Sequence, residues 1–165
     1  MSTLQNKREK RLREKGEATD TEIVYVNSMI QLKKQHSHRV TALHQQASDI
    51  LDSWLFQGNW QHANDLVNLK SLSITHIINV TDKVLSNQSQ QILHIPNGRA
   101  LVHCQRGVSR SSTIVIAYLM HYNKWTVLQA YDYLLARRPE ASPNLVLLLQ
   151  LARYEKELIK ANDEK

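Results

Sequence analysis

The sequence predicts an α/β fold, a mostly parallel central sheet flanked by helices, and three observations carry that prediction. Short runs rich in β-branched and apolar residues, Ile50 to Gln57 and Ile74 to Val80, come early in the chain. A glycine-containing loop, His103 to Ser111, then opens directly into the apolar run Ile114 to Met120. Helical patterns with clear start and stop signals occupy the remainder. Strands first, then a loop, then helices is the order of a layered domain whose helices cover a sheet.

Taken in order, residues 1–20 are polar and charge-rich with nothing to bury, and read as a basic flexible N-terminal arm, mobile or frayed helical. Residues 21–46 read as a helical extension, in which Ile23 to Val26 also suits a strand and Met29 to Leu43 a helix. The main domain spans residues 47–160, with 161–165 as a tail. Ile50 to Gln57 supplies the first strands, Asn59 caps a helix running through Leu69, and Ile74 to Val80 is a buried strand. Ser112 to His121 is apolar on nearly every side and is expected as the central buried helix. Thr126 and Gln129 form a capping box for the next helix, which Arg137-Arg138-Pro139 closes. Ser142, followed by Pro143 at the first helical position, is expected to cap the last helix.

At 165 residues, with 42 % apolar and 22 % charged residues, the chain has the make-up of one globular domain. The net charge of +6 favours acidic partners, but six of the basic residues lie between Lys7 and Lys15, interspersed with Glu9 and Glu14. A solvated face is the simpler reading of that run, ahead of nucleic acid, anionic lipid or an import receptor, and no nucleic-acid partner is expected. A single cysteine excludes an intrachain disulfide and suits a cytoplasmic or nuclear setting. No apolar stretch approaches membrane-spanning length, and neither a secretory signal nor a myristoylation pattern is expected.

The chemistry concentrates in His103-Cys104-Gln105-Arg106-Gly107-Val108-Ser109-Arg110-Ser111. A cysteine followed six positions later by arginine, with glycine between, suits a loop wrapped around a tetrahedral oxyanion. Gly107 can take backbone angles closed to other residues, so consecutive N–H groups can face inward as an anion nest. The helix that follows aims partial positive charge at the same point. Cys104 is then expected as a thiolate, and Arg110 can grip two phosphate oxygens at once. Gln105, Arg106, Gly107, Val108 and Ser109 contribute chiefly backbone N–H groups to this phosphate-binding loop. No Gly-x-x-x-x-Gly-Lys sequence is present, so the cradle is not that of an ATP site.

This stretch resembles the signature of the cysteine-dependent protein phosphatases, His-Cys-x-x-Gly-x-x-Arg-Ser/Thr, and its Ser109-Arg110-Ser111 ending is similar to the dual-specificity branch. The likeness continues through Ile114 to Met120, Ala130 to Leu134, Arg137-Arg138-Pro139 and Pro143-Asn144. Upstream it includes Leu55 to Asn59 and Ile74 to Thr81. It covers about residues 47–160 and implies a phosphatase-like catalytic domain there. It also implies roles: Cys104 as nucleophile, Arg110 on the equatorial oxygens, Ser111 hydrogen-bonded to the sulfur, and His103 ordering the loop and helping to depress the thiol.

The family also uses an aspartate as general acid, on a loop well upstream of the signature. Here only 24 residues separate Asn79 from Cys104, and Ile92 to Pro96 runs almost directly into Arg99 to Val102. The acid loop and its helix are expected to be missing. Either Asn97-Gly98 turns a hairpin, or Asp82 to Gly98 serves whole as a crossover to a parallel strand. The second keeps the signature strand where its loop needs it. Asp82 is a weak candidate for a substitute acid, its simpler reading being a turn-former; Asp49, Asp52 and Asp132 read as structural. The expected activity is hydrolysis of phosphotyrosine, and of phosphoserine or phosphothreonine given a shallow cleft, in a phosphorylated protein substrate. The alternative is a catalytically impaired module that binds or scaffolds phosphoproteins. Neither reading calls for a cofactor or a metal.

Overall fold

Two short strands, Ser48–Leu51 (β1) and Leu55–Gly58 (β2), pair antiparallel and start the sheet. Between them Asp52 and Ser53 take left-handed backbone, with φ of 36° and 64°, and the Asp49 carboxylate accepts from the Ser53 amide and hydroxyl. Ile74–Asn79 (β3) and Arg99–His103 (β4) complete the sheet in the order β1-β2-β4-β3. β4 is parallel to both β2 and β3, as expected from the sequence. The structure is a computed structural model and describes residues 3–36, 46–82 and 98–163.

Among the described residues β3 pairs on one side only, and Ile78 is exposed, so it is not the fully buried strand that its β-branched residues suggest. β4 has a parallel neighbour on each side, which leaves no edge beside it for a hairpin partner across Asn97-Gly98. The rest of that connection, residues 83–97 with Ile92 to Ile95 and Asn97, lies outside the described residues.

Seven helices are described: Thr3–Gly16 (α1), Asp20–Gln35 (α2), Trp60–Asn64 (α3), Leu66–Ser71 (α4), Arg110–Asn123 (α5), Val127–Arg137 (α6) and Leu145–Asp163 (α7). α5 packs on β2, β4, α6 and α7, while α1 and α2 lie against α7. The core includes Val115, Ile116, Leu119, Leu134, Leu149 and Val102. α5 is central as expected, although Ile114 and Tyr122 leave one face exposed.

Five local expectations need correction. Asn59 starts a helix through a capping box with His62, but Asp65 interrupts it and recaps α4 by accepting from Asn68, so two short helices replace one. The last helix is capped by Asn144, whose Oδ1 accepts from Val146 and Leu147, because α7 begins at Leu145, beyond the Ser142–Pro143 pair. Ile23 to Val26 is helical: the Thr19–Glu22 capping box starts α2, and Ile23, Val26 and Met29 fall on its buried face. The basic segment, expected as a mobile or frayed helical arm with nothing to bury, is the regular helix α1, which buries Leu12 in the core. α7 also runs past residue 160, to Asp163, where a tail was expected.

One carboxylate ties these N-terminal helices down. Glu22 accepts from Arg153 Nε at 3.1 Å and lies 3.4 Å from Lys156 Nζ, while Arg153 also donates to the Gly16 and Glu17 carbonyls. The Arg153 hydrogen bond, aided by the Thr19 amide and Lys156, holds the Glu22 carboxyl down to about 2, against the opposing effect of burial. A carboxyl depressed in the folded state contributes its stability above the ordinary value of 4.5 and loses it as pH falls towards 2. The melting temperature should therefore drop across that window, and Glu22→Gln should remove the drop while lowering melting at neutral pH. An identical acid profile in parent and variant would show that this carboxylate does not anchor the helices.

Candidate active site

β4 delivers Cys104 at the C-terminal edge of the sheet, and α5 begins at Arg110. A loop that wraps an oxyanion must turn its N–H groups in and its carbonyls out, and each outward carbonyl then needs a donor. Those donors come from four directions. The Gln105 carbonyl accepts from the Trp60 amide at 3.3 Å, and that of Val108 from the Ser142 amide at 2.7 Å. The Gly107 carbonyl accepts from Gln57 Nε2 at 3.1 Å and Arg138 Nε at 2.9 Å. The Ser109 carbonyl accepts from the Thr113 amide and hydroxyl, both at 3.0 Å. Gly107 has φ +69°, and a Cβ there would stand 2.6 Å from the Gly58 carbonyl oxygen and 2.7 Å from Arg138. Glycine is required twice over, for conformation and for space.

The thiol of Cys104 is buried at the base of this loop, 3.3 Å from Ser111 Oγ. Burial alone would push it up. The Ser111 hydroxyl and the backbone N–H groups of Ser111, Val108 and Gly107 outweigh burial and bring it from 9.0 to about 7. Ser109 makes no side-chain cap to α5; its hydroxyl accepts from the Asn144 amide at 3.1 Å. The first amides of α5 therefore serve the sulfur and the space above it. Arg110 is the first residue of α5 and is exposed, as are Gln105 and Arg106.

His103 is fully buried beside Trp60, with ring centroids 6.3 Å apart. Burial, only partly opposed by the Cys104 backbone, pushes its imidazole down, and neither ring nitrogen has a well-formed hydrogen bond among the described residues. A neutral packed ring is not what depresses the thiol; Ser111 and the loop amides are. Asp82 lies exposed just past β3, whose last residue, Asn79, is in register with His103. Asp49 and Asp65 act as local caps, and Asp132 lies 2.8 Å from His36. No group of three or more His, Cys, Asp or Glu suited to a metal occurs among the described residues.

Two residues of the site escape sequence reasoning. Arg138, 2 % exposed, reaches under the loop to the Gly107 carbonyl, the Ser48 hydroxyl and the Gln57 carbonyl, and pairs with Glu140 at 3.2 Å. In the sequence it reads only as the end of a helix. Gln57, fully buried, shares the two hydrogens of Nε2 among the Gly107 carbonyl, Ser111 Oγ and Ser112 Oγ, at 3.1, 3.3 and 2.8 Å. Its one signal was a polar residue inside an apolar strand. A hydroxyl that accepts from Gln57 is left to donate its own hydrogen towards the sulfur, so Gln57 orients Ser111.

Residues 96–157 match the family described as the dual specificity phosphatase, catalytic domain. Dual specificity protein phosphatase 2 of Homo sapiens is 31% identical over 134 residues, which cover 64% of this chain and 43% of that protein. Dual specificity protein phosphatase 14 of Mus musculus is 50% identical over 62 residues, covering 38% of this chain and 31% of that protein. The chain thus spans less than half the length of these curated relatives. Among solved structures, human DUSP28 is similar in fold, with a TM-score of 0.61 and 23% identity over 68% of this chain and 95% of that one. The human tyrosine phosphatase-like serine/threonine/tyrosine-interacting protein gives a TM-score of 0.63 and 26% identity, over 70% of this chain and 99% of that one.

Two outcomes follow from this geometry. Alkylation of Cys104, the only cysteine, should reach half its maximal rate near pH 7, and Ser111→Ala should move that midpoint up by about 1–2 pH units. A midpoint unchanged by Ser111→Ala would mean that the hydroxyl does not hold the thiolate. Gly107→Ala should lower the free energy of chemical unfolding by about 2–4 kcal/mol through strain and overlap together; a loss within about 0.5 kcal/mol would contradict the close approach of Gly58 and Arg138.

Proposed function

The chain belongs to the dual-specificity phosphatase family, and on that premise we propose that it hydrolyses phosphate monoesters of proteins through a phospho-cysteine on Cys104. The observation that carries this reading is a thiol brought to about 7 by the Ser111 hydroxyl and three loop amides, at the start of α5. In the first step the thiolate attacks phosphorus, a P–S bond forms and the P–O ester bond breaks, while Arg110 and the inward amides hold the equatorial oxygens. The departing oxygen takes a proton from an acid or from water. Water then attacks phosphorus, the P–S bond breaks, and the Ser111 hydroxyl stabilises the leaving sulfur. The scheme uses no metal and no cofactor. His103, packed and neutral, shapes the strand end from which the loop springs.

The substrate class is a phosphorylated protein, with phosphotyrosine first and the shorter phosphoserine and phosphothreonine where the cleft is shallow. A single cysteine, which cannot form an intrachain disulfide, supports the cytoplasm or nucleus as the setting of the reaction. No helix among the described residues is long and apolar enough to cross a membrane.

Turnover depends on the acid. Asp82 is the candidate, because the register Asn79 to His103 sets the end of β3 beside the start of the loop and Asp82 follows there, exposed. Without an acid, alkyl and phenyl phosphates lose about 10²–10⁴ in rate while good leaving groups lose far less. The short Asn79–Cys104 connection favours, as second reading, capture of phosphoproteins without useful turnover. Single-turnover hydrolysis of an aryl phosphate with a good leaving group, followed over pH with Cys104→Ser as control, separates the two. A Cys104-dependent burst is expected. An alkaline fall in its rate that Asp82→Asn abolishes would identify the acid, and a pH-flat burst would exclude one. No Cys104-dependent product from folded protein would overturn the enzyme and leave the binding module.

A further inference from the structure

The α6–α7 connection, residues 138–144, braces the phosphate loop on one side and is held by α2 on the other. Arg138 Nε donates to the Gly107 carbonyl, the Ser142 amide to the Val108 carbonyl and the Asn144 amide to Ser109 Oγ. The connection opens with a turn from Arg138 to Ala141, closed by the Ala141 amide on the Arg138 carbonyl at 2.9 Å, with Pro139 at its second position. Such a turn leaves the carbonyl of its second residue facing outward, and that of Pro139 accepts from Lys33 Nζ of α2. Glu140, the next residue, pairs with Arg138 at 3.2 Å, and its carboxylate also acts on Lys33. One lysine therefore meets the turn at a carbonyl and at a charge.

Helical spacing puts the lysine there. Ile23, Val26 and Met29 form the buried stripe of α2, and Lys33 and His36 continue it at intervals of four and three. The stripe packs on α6 and α7 and ends in these two polar side chains where α6 gives way to the turn. His36 is buried, with Nε2 2.8 Å from Asp132 Oδ1 of α6. Lys33 is half-buried; burial pushes its ammonium down, and the Glu140 carboxylate opposes that. An ammonium group drawn part-way out of water loses hydration, and a lysine serving only solubility would extend into solvent instead. At the other end of α2, Glu22 ties the helix to Arg153 and Lys156 of α7, so the lysine projects from an anchored element.

The turn matters to the sulfur because a peptide unit is planar. The Gly107 carbonyl and the Val108 N–H are two ends of one unit: Arg138 and Gln57 hold the oxygen, and the N–H faces Cys104. The Val108 carbonyl, held by Ser142, fixes the following unit in the same way. We propose that Lys33 is a positioning residue for the Cys104 thiolate: seated on Pro139 and Glu140, it holds the turn from which Arg138 and Ser142 orient the loop peptides. The nucleophile then depends on a helix that lies outside residues 96–157, the part of the chain that matches the family. Unseating α2 relaxes the turn, lets the two loop peptides rotate and returns the sulfur towards an ordinary thiol. The catalytic consequence rests on the phosphatase reading; the state of the thiol does not.

The test compares the full chain with Lys33→Met, Lys33→Arg and Thr126→Ala, the last removing a cap at the far end of α6. Alkylation of Cys104 over pH reads the thiol, thermal melting reads the fold, and the aryl phosphate burst reads the chemistry. Lys33→Met should raise the alkylation midpoint by about 0.5–1 pH unit, and Lys33→Arg should restore it. The burst of Lys33→Met should be about three- to tenfold slower at pH 6, with the deficit closing towards about pH 9 as both thiols ionise. Thr126→Ala should melt lower and keep the parent midpoint. Should the methionine variant fail to fold, Lys33→Gln takes its place with the same outcomes. A lowered melting temperature with the parent midpoint would make Lys33 merely structural and overturn the proposal, as would an equal midpoint shift in Thr126→Ala; either leaves the phosphatase reading standing. A midpoint that moves in Lys33→Met, from a parent that yields no Cys104-dependent product, would sink the phosphatase reading and keep the positioning role.

Discussion

The peptide carbonyl of Gly107 has to point away from the anion site, and nearly everything around the loop serves that requirement. It accepts from the buried guanidinium of Arg138 and the buried amide of Gln57. Turning one carbonyl outward turns the neighbouring N–H groups inward, and those groups hold the sulfur. Burial works against the Arg138 charge, while the Glu140 carboxylate and the Cys104 thiolate offset it. The thiolate and the guanidinium therefore support each other. Removing either partner of such a buried network leaves a desolvated charge, at a cost of about 3–5 kcal/mol. The same contacts that make the sulfur nucleophilic hold together β1, β2 and the end of α6.

Gln57 extends this economy to the hydroxyls. One amide nitrogen serves the Gly107 carbonyl, Ser111 and Ser112, so the oxygen facing Cys104 is oriented by a side chain on a different element. Ser112 in turn donates to the Val108 carbonyl. The loop is braced by β2, the α6–α7 connection and its own helix, which explains how a six-residue turn can keep several amides aimed at one point without collapsing on itself.

The N-terminal helices add a second layer to this arrangement. Glu22 gathers Arg153 and Lys156, Arg153 caps the end of α1, and Lys33 reaches the Pro139 carbonyl. These contacts seat α1 and α2 on α7 and on the segment that braces the phosphate loop. The basic run, nearly featureless in the sequence, becomes one wall of a cleft only because two helices and a turn meet there.

The sequence by itself determined what depends on neighbours within a few positions. The Cys104–Arg110 spacing, the glycine between them and the helix behind them specify a phosphate cradle, because nest geometry and helix start are local. The Thr126–Gln129 capping box and the stop at Arg137 were legible for the same reason. Local rules failed where a distant group competed. Ser142 braces the Val108 carbonyl with its amide, and the helix it was expected to cap starts later, at Leu145. Two other departures have local causes: the Asp65 cap on Asn68 divides the helix that Asn59 opens, and the Thr19–Glu22 capping box starts α2 ahead of Ile23 to Val26. Only the tertiary structure placed Gln57 and Arg138 beneath the loop, 50 and 31 residues from Gly107. A buried polar contact across that separation leaves no periodicity or spacing to read; it exists once the sheet and helices have brought its ends together.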